Sequence, residues 1–249
     1  MSRSGKWLVA AGVLAFLLVV IGNIPASLAA NWMPRGVTVA SLSGTVWQGE
    51  ARSVQVAGVE VEKIDWRLHP LALIGGQIAA QVEATNQSDR ASAELVLGRD
   101  GHIEAQALAA ELDAASLAGH GLPAGWSGPL RLRFEHIVLE GGWIAAIRGA
   151  VESGTLTGPQ KVQPYLGSYR LEFGPDATAT PGEVVGHFSD LGGPSEISGT
   201  LKLTRDRRAV LSGWVRARPG APQSVSDDIA KLPQSDPQGR RLFSIESNF

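Results

Sequence analysis

The 249-residue chain has no cysteine and only two tyrosines, and neither sign of charge prevails: 22 Lys+Arg against 24 Asp+Glu leave a formal net charge of −2. Without thiols there can be no disulfides, thiolate zinc sites, iron–sulfur clusters or cysteine nucleophiles. A thiol-free chain is also indifferent to the redox state of its compartment. Without a basic excess there is no electrostatic footprint for nucleic acid. Motifs that carry chemistry are missing as well. There is no Gly-x-Ser-x-Gly elbow and no phosphate loop ending in Lys-Ser/Thr. Gly119, Gly121 and Gly125 have the wrong spacing for a dinucleotide fingerprint, and Pro123 stands where its helix would begin. His102-Ile103-Glu104 matches the first half of a zinc deaminase signature, but the partner cysteines are absent. The five histidines, His69, His102, His120, His136 and His187, lack ligand spacing and read as surface or turn residues. The expectation is a protein that is not an enzyme, with no catalytic, cofactor-binding or metal-binding residues.

What is present begins with one long apolar run. Arg3 and Lys6 precede an uninterrupted stretch from Trp7 to Gly22, which Asn23 and Pro25 end. The basic start, the apolar middle and the small residues around Ser27-Leu28-Ala29 fit an export signal. The span from Trp7 to about Leu28 also reaches the roughly 20 residues that cross a bilayer. Trp7 and Trp32 flank it, as aromatic residues do at membrane–water interfaces, and this favours an uncleaved anchor. Either way the basic residues stay cytoplasmic and the remainder is exported. Residues 1–30 are therefore expected to form a cytoplasmic start and N-terminal transmembrane helix, and residues 31–249 a periplasmic domain. No second run of comparable length follows.

The exported part alternates with a period of two. Ile64, Trp66 and Leu68 are separated by Asp65 and Arg67; Leu130, Leu132 and Phe134 by Arg131 and Arg133. Tyr169, Leu171 and Phe173, then Leu201 and Leu203, repeat the pattern. Such alternation predicts antiparallel strands with one buried and one solvated face. Gly75-Gly76, Gly141-Gly142 and Gly192-Gly193-Pro194 supply turns at hairpin spacing. Helical turns are expected only at Pro70–Ile74, near Leu108–Leu117, and at Asp227–Leu232, where Ser226 can cap and Pro233 stops the helix. A Ser-Gly-Thr-apolar cell recurs at Ser43, Ser153 and Ser198. It predicts either a repeated β unit stacked into one long twisted sheet, or a chance product of glycine-rich strands. The fold class expected is all-β, an elongated and mostly antiparallel sheet.

The most specific stretch follows the apolar run. A strand from Val37 to Leu42 leads into Gly44-Thr45-Val46-Trp47-Gln48-Gly49, and a second motif runs Ile64-Asp65-Trp66-Arg67-Leu68-His69-Pro70-Leu71-Ala72-Leu73. Trp47 and Trp66 are large apolar bodies with one donor each, placed to pack across a meander, and Gly44 and Gly49 let the strand bend around the first. These two motifs resemble those of type II secretion system protein N, also called general secretion pathway protein N. Leu122-Pro123, Gly128-Pro129-Leu130-Arg131-Leu132, Leu166-Gly167-Ser168-Tyr169, Ser198-Gly199-Thr200-Leu201-Lys202-Leu203 and the ending Asp236–Phe249 are similar to later elements of that family.

The resemblance implies a short cytoplasmic start, a single inner-membrane segment and a periplasmic β domain. It implies a part in protein export across the outer membrane through contacts with other type II secretion system proteins. It carries over no catalytic residues and no cofactors. Gly44, Thr45, Trp47, Gly49, Trp66 and Pro70 are the motif residues, expected to be structural. The family also looks distantly like AsmA-type periplasmic proteins, which leaves a groove protein handling lipid as the alternative. An outer-membrane barrel would need strands of about 9–11 residues, longer than many runs here.

Overall fold

The alternating segments become antiparallel strands in the computed structural model of the chain, which describes residues 20–28, 36–56, 59–117, 125–158 and 167–248. The chain divides into two units, Met1–Gln87 and Ser88–Phe249. Within each, spatial order follows sequence order. Each apolar run therefore finds its partner in the next run of the chain.

The first unit is a meander of β1 (Val37–Gly44), β2 (Gln48–Val56), β3 (Val59–Leu68) and β4 (Ile78–Asn86). Between β3 and β4 the chain makes a 3-10 turn, Pro70–Gly75, with Pro at its start and Gly76 closing it at φ 74°. The turn is where proline and the glycine pair place it: proline presets φ for a first helical turn and glycine accepts the left-handed exit. Ahead of the meander, a helical turn ends at Gly22 and a 3-10 turn covers residues 26–28. No helix among the described residues is long and apolar enough to cross a membrane. The transmembrane helix expected over the N-terminal run falls mostly on residues 1–19, outside the described residues.

The second unit contains β5 (Asp89–Leu97), β6 (Ile103–Asp113), β7 (Pro129–Glu140), β8 (Trp143–Ser153), β9 (Ser168–Phe173), β10 (Glu183–Gly192), β11 (Ser195–Thr204), β12 (Arg208–Ala217) and β13 (Arg241–Asn248). A short helix, Gln223–Ala230, lies between the last two strands. Its core is a cluster of Phe134, Phe173, Ala177 and Val184, against which Leu132, Ile147 and Leu171 pack. Phe134 and Phe173 lie on strands separated by β8, and Gly149 stands between them in register. Because Gly149 has no side chain, the two rings approach to 6.2 Å between centroids. A Cβ there would lie 2.8 Å from the Phe134 ring, and φ +148° already suits only glycine.

Three local expectations change. The helix expected near Leu108–Leu117 is strand as far as Asp113, followed by a 3-10 turn at Ala114–Leu117. Leu108, Ala110 and Leu112 alternate against β7, and ladder pairing outweighs the helix preference of alanine and leucine. The last helix begins four residues early, at Gln223, with Pro222 at its N-cap and no side-chain capping bond. The Ser-Gly-Thr cells occupy unlike places. Gly44 ends β1, Gly154 follows β8, and Gly199 lies inside β11. They mark strand ends in two cases and a strand interior in the third, so they do not delimit equal structural units.

Candidate functional site

The two tryptophan motifs meet at one end of the first unit. Gly44 pairs with Gly49 to close the β1–β2 hairpin, and Gly49 pairs with Trp66 on β3. The tip is tied by Thr45, whose backbone N–H donates to the Gln48 carbonyl at 2.8 Å. Its hydroxyl oxygen accepts from the Gln48 N–H at 3.2 Å. Gly44 adopts φ +85°, and a Cβ there would lie 2.6 Å from the Gln48 carbonyl oxygen. Gly49 is needed for a different reason. The Trp66 indole lies against it, and a Cβ would press on that ring and come within 2.6 Å of the Ser43 carbonyl oxygen.

Both indole N–H groups reach backbone carbonyls. Trp66 Nε1 donates to Val46 at 3.0 Å, and Trp47 Nε1 donates to Ile21 at 2.7 Å. The latter bond, with Val46 N–H donating to Ile24 at 2.9 Å, holds residues 20–28 on the hairpin tip. Leu68 N–H donates to the Trp47 carbonyl at 2.7 Å, and Pro70 then opens the 3-10 turn. Gly44, Thr45, Trp47, Gly49, Trp66 and Pro70 are thus gathered into one clamp. It joins the end of the N-terminal apolar run to the sheet. The partner that sequence reasoning missed is the carbonyl of Ile21, a backbone atom to which no side-chain pattern points.

Charged side chains beside the clamp pair with one another. Lys63 lies 3.2 Å from Glu50 and 2.9 Å from Asp65, and Arg52 also bonds Glu50. Hydrogen bonds from Arg52 and then Lys63 hold the Glu50 carboxyl below its ordinary value. In the second unit a concavity of about 820 Å³ is lined by Arg131, Arg133, Arg148 and Arg170 together with Glu135, Glu152 and Glu172. Most of these form cross-strand pairs, such as Arg170–Glu152 at 2.8 Å and Arg148–Glu135 at 3.2 Å. His136 meets Glu104 at 2.8 Å, and His102 bonds Asp100. Among the described residues no group of three or more His, Asp or Glu is arranged to hold a metal ion. The arrangements on both units are those of a sheet surface whose charges are matched in pairs.

The family model described as "Type II secretion system (T2SS), protein N" matches residues 35–244. The chain belongs to that family. It is 25% identical over 246 residues to the type II secretion system protein N of Vibrio cholerae serotype O1 (strain ATCC 39315 / El Tor Inaba N16961). The match covers 90% of this chain and 91% of that relative. No solved structure matches the chain. The matched region begins just ahead of β1 and ends within β13, so it takes in β1–β12, the start of β13 and both tryptophan motifs. A component of the type II secretion system is therefore the identity that the residues around Trp47 and Trp66 pointed to.

Proposed function

We propose that the chain is a noncatalytic, inner-membrane-anchored component of the type II secretion system. In this reading residues 31–249 lie in the periplasm and support export of folded proteins across the outer membrane by binding other proteins of the machine. The motif residues Gly44, Thr45, Trp47, Gly49, Trp66 and Pro70 serve structure: they brace the exit of the anchor against the sheet.

The observation that carries the binding role is the open edge of β13. The start of its outer edge is covered by a bridge between Ser235 and Arg241 and by Leu242 N–H donating to the Gln234 carbonyl at 3.0 Å; from Phe243 on it pairs only with β12 among the described strands, and residues 244–248 expose their side chains. An unpaired edge offers a row of backbone donors and acceptors to an extended segment of a partner, which is recognition by strand addition. The alternative, an AsmA-like groove for lipid, would need an apolar trough. The concavity on the second unit mixes Leu108, Phe134 and Phe173 with seven charged side chains, so its lining is not a continuous apolar trough.

Placing a photo-crosslinking amino acid at Ser244 in the full chain tests the proposal in cells. Adducts with other secretion-system proteins in the inner-membrane fraction, together with lost exoprotein export on deletion of the gene, are expected. Normal export after deletion, or an absence of adducts from Ser244, would overturn it.

A further inference from the structure

Exposed aliphatic side chains are not spread evenly over the sheet. Among the described residues eleven large aliphatic side chains are exposed, and seven of them belong to one end of the first unit. Three, Val20, Ile21 and Leu28, lie on the segment held by the hairpin tip. Four more surround the 3-10 turn: Leu71 and Ile74, about 80% exposed at 79% and 82%, with Leu73 and Ile78.

The two stretches share an end of the meander. Residues 20–28 are bonded to Val46 and Trp47 at the β1–β2 tip, and Leu68, the last residue of β3, bonds Trp47 from the other side. Charge is missing from both. Residues 7–34 and 68–82 contain no Asp, Glu, Lys or Arg. The charges nearest them, Glu50, Asp65 and Arg67, lie on β2 and β3 themselves, and Glu60 and Glu62 lie toward the opposite end of β3.

We propose that this end of the first unit is a lipid-binding foot. The Pro70–Gly75 turn enters the headgroup region of the bilayer beside the N-terminal apolar run, giving the sheet a second hold on the same membrane. The inference rests on the membrane-anchored reading above. A bilayer is the occupant because the apolar run ends at this face, so lipid lies within reach of the turn. Part of the backbone of the turn is bonded internally, which lowers the cost of a shallow entry among lipid headgroups. Ala72 N–H donates to His69 and Gln77 N–H to Ala72, both at 3.1 Å. Gly76 N–H donates to Leu73 at 2.9 Å. A short uncharged element with outward leucine and isoleucine, fixed next to an anchor, gains apolar burial by shallow insertion.

The absence of cysteine makes the test direct, since an introduced thiol is the only one in the chain. The full-length protein, reconstituted in vesicles of phosphatidylethanolamine and phosphatidylglycerol, is labelled with an environment-sensitive fluorophore at Leu71→Cys or Ile74→Cys. Val20→Cys reports the end of the apolar run, and Glu60→Cys reports the far end of the unit. The foot predicts blue-shifted emission at 71 and 74 relative to 60, quenching by spin-labelled lipid, and loss of quenching by aqueous iodide. Water-like emission at 71 and 74 with a lipid-quenched probe at 20 would overturn the foot and leave the anchor standing. Water-like emission at 20 as well would overturn both.

Discussion

The two units hide apolar surface in opposite ways. Among the described residues the first unit buries Ala26, Ala51, Val54 and Ala79, none larger than valine. The second buries Leu130, Phe134, Phe173 and Val184 along with several smaller side chains. Conversely, the first unit leaves Leu71 and Ile74 largely uncovered by protein, whereas the second exposes one less exposed cross-strand pair, Leu97 and Ile103, and the single positions Leu191 and Ile245. A β-sheet with one solvated face is stabilised by what covers the other. The second unit supplies that cover from its own phenylalanines. The first concentrates its largest aliphatics where residues 1–19 join it, and its strands are held by a hydrogen-bonded clamp more than by a core.

The strongest way to break this contrast is to remove the second unit's core. Phe134→Ala deletes a ring packed against Phe173 and should cost about 3–5 kcal/mol. Denaturant unfolding of the full chain would show it, with hydrogen exchange accelerated across β7 and β8 and unchanged at Thr45 and Leu68. Equal acceleration at both places would show that the units do not melt separately. Next comes Gly49→Val, which forces a side chain against the Trp66 ring and the Ser43 carbonyl. Overpacking of this kind costs about 1–3 kcal/mol. Here the exchange pattern should reverse, with protection lost at Thr45, Val46 and Leu68 and kept around Phe134.

The smallest effect is acid sensitivity, and it should touch both units alike. Glu50 in the first is held low by Arg52 and then Lys63, and Glu196 in the second by Arg216. A carboxyl lowered in the folded state stabilises it fully above its ordinary value of 4.5 and loses that contribution as pH falls through the folded value. Stability should be flat from pH 7 to about 5 and decline below about 4.5. Circular dichroism on Glu50→Gln and Glu196→Gln should show a shallower acid decline for each. These pairs are solvent-exposed, so salt should screen the difference.

Much of the fold could be read from the chain because its strands are solvated on one face. Residues 130–134 alternate apolar and basic side chains and lie in β7; residues 169–173 alternate apolar and charged side chains and lie in β9. Turns were legible at Gly75-Gly76 and Gly141-Gly142, where φ is positive at Gly76, Gly141 and Gly142. Segments without such signals were not. Alanine-rich β6 reads as helix until its partner β7 is known, since alanine fits either state and pairing decides. Of the clamp, the residue types were legible and the contacts were not. Gly44, Trp47, Gly49 and Trp66 stand out by spacing, but Trp47 finds its acceptor on Ile21, 26 residues away.

The sequence by itself determined that no thiol or recognisable catalytic motif is present, that one apolar run opens the chain, and that the rest alternates as strands. Side-chain period and residue chemistry are local, so they survive in one dimension. Only the tertiary structure decided that residues 20–28 lie on the β1–β2 tip, that Gly149 lets Phe134 meet Phe173, and that two uncharged stretches separated by more than thirty residues share one end of a sheet. Those are facts of register and strand direction. They arise from hydrogen-bonded pairing between separate strands, which no single stretch of sequence contains.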